Sequence, residues 1–69
     1  MIGDELKKAR TKAGLSQEEL ASRADVHRTY ISLLERNKKS PTLDTLFKIC
    51  DALEVSVSKF IARLERAKK

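Results

Sequence analysis

At 69 residues, 41% hydrophobic and 36% charged, the chain has room for one small domain with a thin core, and the regular recurrence of apolar residues excludes a disordered chain. A single cysteine, Cys50, excludes an internal disulfide, and no apolar run approaches the roughly 20 residues that span a bilayer. The start MIGDELKK lacks the apolar segment of a secretory signal, so a reducing cytoplasm away from any membrane is the expected location.

The formal charge of +5 is unevenly placed. Arg28, Arg36, Lys38 and Lys39 against Glu35 give +3, and Lys59, Arg63, Arg66, Lys68 and Lys69 against Glu65 give +4. Between them Asp44, Asp51 and Glu54 against Lys48 give −2. A basic face beside an acidic patch points to a polyanionic partner, with solvated surface charge as the competing account.

Taken in order, Ile2, Leu6, Ala9 and Ala13 recur at helical spacing, and Gly14 is a natural stop because it accepts a left-handed backbone. Ser16 with Glu19 forms a capping box and Leu15 with Leu20 a hydrophobic staple, so helix two starts there and ends near Ala24. Helix three is expected from about Arg28 to Arg36, with His27 at the cap position. Its Ile31 and Leu34 point one way, while Arg28, Thr29, Ser32, Leu33 and Arg36 point the other.

Asn37 to Pro41 is a polar, basic connection with turn chemistry. Thr42 then caps helix four, whose Leu43, Leu46, Phe47, Ile49, Cys50 and Leu53 make a broad apolar arc. Ser56 caps helix five, with Val55 and Phe60 as the staple pair and Val57, Phe60, Ile61, Leu64 and Ala67 along one side. No repeat, linker or strand pattern interrupts this all-α reading.

The stretch Gln17 to Glu35, QEELASRADVHRTYISLLE, then has the parts of a helix-turn-helix spanning about residues 16–36. Leu20, Ala21 and Ala24 give helix two a buried side, Ala21 is small where two backbones must approach, Val26 fills the turn, and Ile31 and Leu34 anchor helix three. Enzymatic chemistry is not expected. His27 and Cys50 have no second ligand nearby, and there are no paired carboxylates, phosphate-cradling glycine loop or triad candidates. No cofactor and no metal site is expected either.

On GLSQEELA (14–21), VHRTYISLLERN (26–37), SPTLDTLFKI (40–49) and ALEVSVSKF (52–60), the sequence resembles the Cro, phage-repressor and XRE-type helix-turn-helix family over essentially its whole length. RTYISLLERN followed by a short last helix is most similar to the controller proteins of restriction-modification systems. The resemblance implies a five-helix, lambda-repressor-like domain that lays helix three in the major groove of double-stranded DNA. Arg28 and Thr29 would then lie at base edges, with Ser32 and Leu33 one turn on. Arg28 suits bidentate donation to guanine, and Thr29 or Leu33 suits a thymine methyl group.

Gln17, Tyr30, Arg36, Asn37, Lys38, Ser40 and Thr42 would be phosphate contacts, Gln17 beside the free amides that begin helix two. For Ser40 and Thr42, as for Ser16 and Ser56, simple capping is the competing role. Family members often pair an arginine of helix one with the glutamate ending helix three, which here implies a structural ion pair between Arg10 and Glu35. Many relatives carry glycine where this chain has Asp25, Asn37 and Glu54, so positive φ is expected at all three, with strain of about 1 kcal/mol at Glu54.

One such domain reads about half an operator, so a homodimer on a palindromic site is expected. Helix five, about residues 56–67, is the expected dimer element, and Phe47, Val57, Ile61 and Leu64 are the interface candidates. The expected function is sequence-specific transcription regulation. The alternative is an antitoxin or adaptor that engages a protein partner on the same fold, and a third account is non-specific coating of nucleic acid.

Overall fold

The computed structural model describes residues 2–67 as five helices, α1 (Ile2–Lys12), α2 (Gln17–Ala24), α3 (Arg28–Glu35), α4 (Leu43–Leu53) and α5 (Val57–Ala67), with no strand among the described residues. Lys68 and Lys69, counted above in the basic tail, lie outside them. The Cα radius of gyration is 10.7 Å. A compact chain of this length is expected near 11 Å.

The first four helices end in the same way. The amide of a left-handed residue donates to the carbonyl three positions back, and the next amide to the carbonyl five back. The pairs are Gly14 to Thr11 with Leu15 to Arg10, Asp25 to Ser22 with Val26 to Ala21, Asn37 to Leu34 with Lys38 to Leu33, and Glu54 to Asp51 with Val55 to Cys50, at 2.9–3.3 Å. Each closure satisfies carbonyls that a helix end would otherwise leave without partners, and its usual companion is an apolar residue folding back onto the core. Leu15, Val26 and Val55 do that; Lys38 is the exception and is exposed.

The expected positive φ at Asp25, Asn37 and Glu54 is present, at 58° in each, with Gly14 at 74°. Helix three stops at Glu35, one residue short of expectation, because Asn37 turns left-handed and leaves Arg36 as the capping residue. Ala13 is exposed and outside the core for the same reason, since α1 ends at Lys12.

The helix starts follow side-chain chemistry. Ser16 and Glu19 form a reciprocal capping box, Thr42 Oγ1 accepts from the Thr45 amide, and Ser56 Oγ accepts from the Lys59 amide. His27 occupies the cap position of α3 without a side-chain cap bond, so α3 lacks that support at its start.

Behind α2 and α3 the core is made of Leu6, Ala9, Leu15, Leu20, Ala21, Ala24, Ile31, Leu34, Leu46, Ile49, Cys50, Leu53 and Phe60. Burying a side chain such as Leu20 or Ile31 contributes about 1.5–3 kcal/mol. α2 packs on α3 and α4, α1 packs on α3 and α5, and α4 packs on α5. The arc expected on α4 is only partly buried, because Leu43 and Phe47 remain 64% and 49% exposed.

A close approach between α1 and α3 involves a residue whose role is not visible in the periodicity. A Cβ on buried Gly3 would lie 2.5 Å from the carbonyl oxygens of both Leu34 and Glu35, and 2.8 Å from Asn37 Oδ1. Gly3 therefore lets the first turn of α1 rest directly on the last turn of α3, and its amide donates to Asn37 Oδ1 at 2.9 Å.

Thermal melts test these two backbone arguments with opposite signs. Gly3→Ala is expected to lose about 1–3 kcal/mol through overpacking, a fall of about 4–8 °C per kcal/mol in a domain this small. Glu54→Gly is expected to melt at or above the parent. Unchanged melting of the first, or a lower midpoint for the second, would remove the corresponding argument.

Candidate nucleic-acid interface

The inner side of the α2–α3 unit is sealed: Leu20 and Ile31 are 0% exposed and Leu34 is 1% exposed. Val26 is half-buried in the turn between the helices. With Ile31 and Leu34 fixed inward, α3 offers Arg28 and Thr29 in its first turn and Arg36 at its end to solvent. Ser32 and Leu33, one turn on from Arg28 and Thr29, are half-buried.

Polar contacts set the pose of that helix. Arg10 of α1 grips the Glu35 carboxylate with Nε on Oε2 and with Nη2 on Oε1 at 3.1 Å, while its Nη1 donates to the Leu15 carbonyl at 2.8 Å. Gln17 Nε2 adds a third donor to Glu35 Oε1 at 3.1 Å. The Glu35 side chain is 3% exposed and that of Arg10 13%, so the pair lies inside the domain. The hydrogen bond to Glu35, followed by opposing desolvation and then the charges of Glu35 and Glu18, raises the Arg10 pKa and keeps the guanidinium charged.

Gln17 faces two ways. Beyond its bond to Glu35, its Oε1 accepts from Arg28 Nη1 at 3.3 Å, and Glu18 Oε2 lies 3.8 Å from Arg28 Nε. The first turn of α2 therefore holds the arginine at the head of α3. Glu18 is absent from the residues that the sequence singles out, because a ten-residue separation across a turn belongs to no helical period.

The expected phosphate contacts fall into two groups. Lys38 and Ser40 are exposed on the loop after α3, Arg36 is exposed at its end, and Gln17 and Tyr30 are half-buried. Lys39 Nζ sits 5.9 Å from the centroid of the Tyr30 ring, a cation–π arrangement that keeps a positive charge beside the tyrosine. Asn37 and Thr42 already have structural duties. Asn37 Oδ1 takes the Gly3 amide, leaving its Nδ2 hydrogens to donate, and Thr42 Oγ1 is bonded to both the amide and the hydroxyl of Thr45. For Thr42 the capping role is the one observed.

Among the described residues no group of three or more His, Cys, Asp or Glu could hold a metal ion, and no helix is long and apolar enough to cross a membrane. Cys50 is fully buried, and burial raises its thiol pKa, which suits a core residue and disfavours a thiolate. Glu19 is held below the usual carboxylate range by the Ser16 backbone and hydroxyl in the capping box.

Comparison with known proteins agrees with this geometry. The helix-turn-helix family model matches residues 6–60. The chain belongs to this family, in its XRE-type branch. Among its relatives, Control protein C.SmaI of Serratia marcescens is 38% identical over 63 residues, which cover 91% of this chain and 75% of that protein. Control protein C.BamHI of Bacillus amyloliquefaciens is 43% identical over 56 residues, 80% of this chain and 69% of that protein. The crystal structure of the restriction-modification controller protein C.Esp1396I superposes with a TM-score of 0.87 at 38% identity, covering 94% of this chain and 86% of the other.

For a helix-turn-helix protein, removal of Glu35 is the informative substitution. Glu35→Ala leaves Arg10 charged and partly buried without its partner, a loss of about 3–5 kcal/mol. It also releases Gln17. The expected outcome is a large fall in melting temperature together with weakened DNA binding at temperatures where the variant is still folded. Unchanged melting and affinity would sink the positioning role.

Proposed function

We propose that the protein is a sequence-specific, DNA-binding regulator of transcription that acts in the cytoplasm without a cofactor and is not an enzyme. It binds a palindromic operator in double-stranded DNA as a homodimer, and it belongs functionally with the controller proteins of restriction-modification systems. The observation that carries this reading is the solvent exposure of Arg28 and Thr29 on a helix whose opposite side is sealed and whose ends are both fastened.

In this reading α3 enters the major groove with its first turn nearest the bases. Arg28 donates to guanine N7 and O6, and Thr29 and Leu33 meet neighbouring base edges, with Ser32 beside them. Gln17, Tyr30, Arg36, Lys38 and Ser40, with the Asn37 amide nitrogen, position the domain on phosphates. Base contacts give selectivity, and the phosphate contacts supply most of the salt-dependent affinity. Occupancy of a promoter-proximal site would repress or activate according to where the site lies.

Two-fold binding needs a second copy that sets the recognition helices about 34 Å apart. Phe47 and Ile61, 49% and 37% exposed, are two of the three exposed large apolar side chains among the described residues, Leu43 at 64% being the third, and are the candidates for that contact. Val57 and Leu64 are partly buried against the chain's own core and would contribute at its margin. The same exposed apolar groups favour the second reading, a protein-interaction module on this fold.

Selection of bound duplexes from a random pool at ~150 mM salt tests specificity and symmetry together. A palindromic consensus is the expected outcome, and failure to enrich one would overturn both. On the enriched duplex, Arg28→Ala should cost about 1–3 kcal/mol and relax base preference at one position per half-site. A uniform loss across all sequences would make Arg28 a phosphate contact. Sedimentation of Ile61→Asp is expected to give the monomer mass, and an unchanged dimer mass would exclude Ile61 from the interface.

A further inference from the structure

Arg28 is not an unattached side chain awaiting a base. Its Nη1 donates to Gln17 Oε1 at 3.3 Å, and its Nε faces the Glu18 carboxylate at 3.8 Å. A guanidinium is planar and carries five N–H groups. One Nη1 hydrogen directed to Gln17 and the Nε edge directed to Glu18 leave its outer end, with hydrogens on both Nη atoms, to meet a bidentate acceptor. Gln17 is itself fastened through Glu35 to Arg10.

Glu18 differs from the other acids near this site. Glu35 is buried and bonded by three donors, and Glu19 is consumed by the capping box. The Glu18 side chain is 71% exposed and that of Arg28 55%. Glu18 is also close enough to Arg10 to raise its pKa, so its charge bears on both arginines of the chain that runs from α1 through Gln17 to α3.

We infer that Glu18 is a specificity-determining residue, one that aligns Arg28 for a base edge and opposes its engagement by phosphates; the inference rests on the reading of α3 as the base-reading helix. Glu18 lies in the first turn of α2, next to the amides where a DNA phosphate is expected. On any duplex its negative charge is repelled by the backbone. On non-specific DNA, Arg28 reaches a phosphate only by swinging away from Gln17 and Glu18, so it loses their contacts. On the operator, a guanine engages the outer end of the guanidinium while both inner contacts persist. The repulsion acts on every sequence and cancels in the comparison, whereas the pair, present in the free protein, is lost only on non-specific DNA.

The test compares the parent and Glu18→Gln for binding to the enriched duplex and to a random-sequence duplex of equal length, with thermal melts of both proteins. Glu18→Gln is expected to tighten binding to the random duplex by about two- to fivefold more than binding to the enriched duplex, the range for one exposed ion pair. The ratio of the two affinities then falls. In an Arg28→Ala background the same substitution should no longer change that ratio, which separates a role through Arg28 from a general charge effect or a shift in stability. Equal tightening on both duplexes, no change on either, or a ratio change that survives in the Arg28→Ala background would each overturn the role of Glu18. A parent that does not distinguish the two duplexes would overturn the base-reading assignment of α3 itself.

Discussion

The pairing of Arg10 with Glu35 is the constraint on which the rest depends, because it joins three helices and a loop at one partly buried point. Arg10 comes from α1, Glu35 ends α3, Gln17 begins α2, and the Leu15 carbonyl belongs to the connection between the first two helices. Taking two charges out of water costs several kcal/mol each, and attraction repays that only where geometry is good and the remaining lone pairs find donors. Here three donors reach the carboxylate, and no buried side-chain nitrogen or oxygen lacks a partner among the described residues. An apolar substitute could match the pair in stability but not in direction. A carboxylate held by three directed donors fixes the rotation of α3 about its axis, which decides which side chains face outward.

That fixing matters because α2 and α3 are only 8 residues long each. Isolated helices shorter than about 12–15 residues are marginal in water, so these two persist through tertiary contact. At the start of α3 the turn is held by the closure of α2 and by Val26. At its end Gly3 sits against the carbonyls of Leu34 and Glu35 and donates to Asn37. A helix fastened at both ends loses little freedom on binding, and less ordering cost leaves more of the contact energy for affinity. The same argument covers Arg28, whose side chain Gln17 and Glu18 hold in the free protein.

Much of this was legible in the residues. The capping box, the staples and a glycine stop are local chemistry, so Ser16 with Glu19, Leu15 with Leu20, and the turn at Gly14 could be read without knowing the fold, whereas the left-handed backbone at Asp25, Asn37 and Glu54 followed from the resemblance. The buried side of each helix followed from period, and the link between Arg10 and Glu35 from resemblance. What could not be read depends on how helices cross. Gly3 looks like an ordinary first-turn residue until α3 lies across it, and Asn37 looks like a loop amide until the Gly3 amide arrives. Leu43 and Phe47 belong to the apolar arc of α4 by spacing, yet α4 turns only part of that arc inward. Period gives the width of an apolar face, whereas the neighbours decide how much of it they cover.

The left-handed positions show local and tertiary demands in competition. Glycine would satisfy the backbone at Asp25, Asn37 and Glu54 without the Cβ penalty of about 1–2 kcal/mol. At Asn37 the side chain returns something glycine cannot supply, since its Oδ1 satisfies the Gly3 amide and ties the start of α1 to the end of α3. Asp25 is short and polar, the kind of side chain that tolerates this conformation best after asparagine and glycine. Glu54 has neither advantage, because its longer side chain is exposed at the junction of α4 and α5 and makes no side-chain hydrogen bond among the described residues. Residual backbone strain therefore sits away from the α2–α3 unit, at the entry to α5, while the positions next to α3 carry residues that either fit or work. That distribution keeps strain away from the helix whose pose the Arg10–Glu35 pair sets.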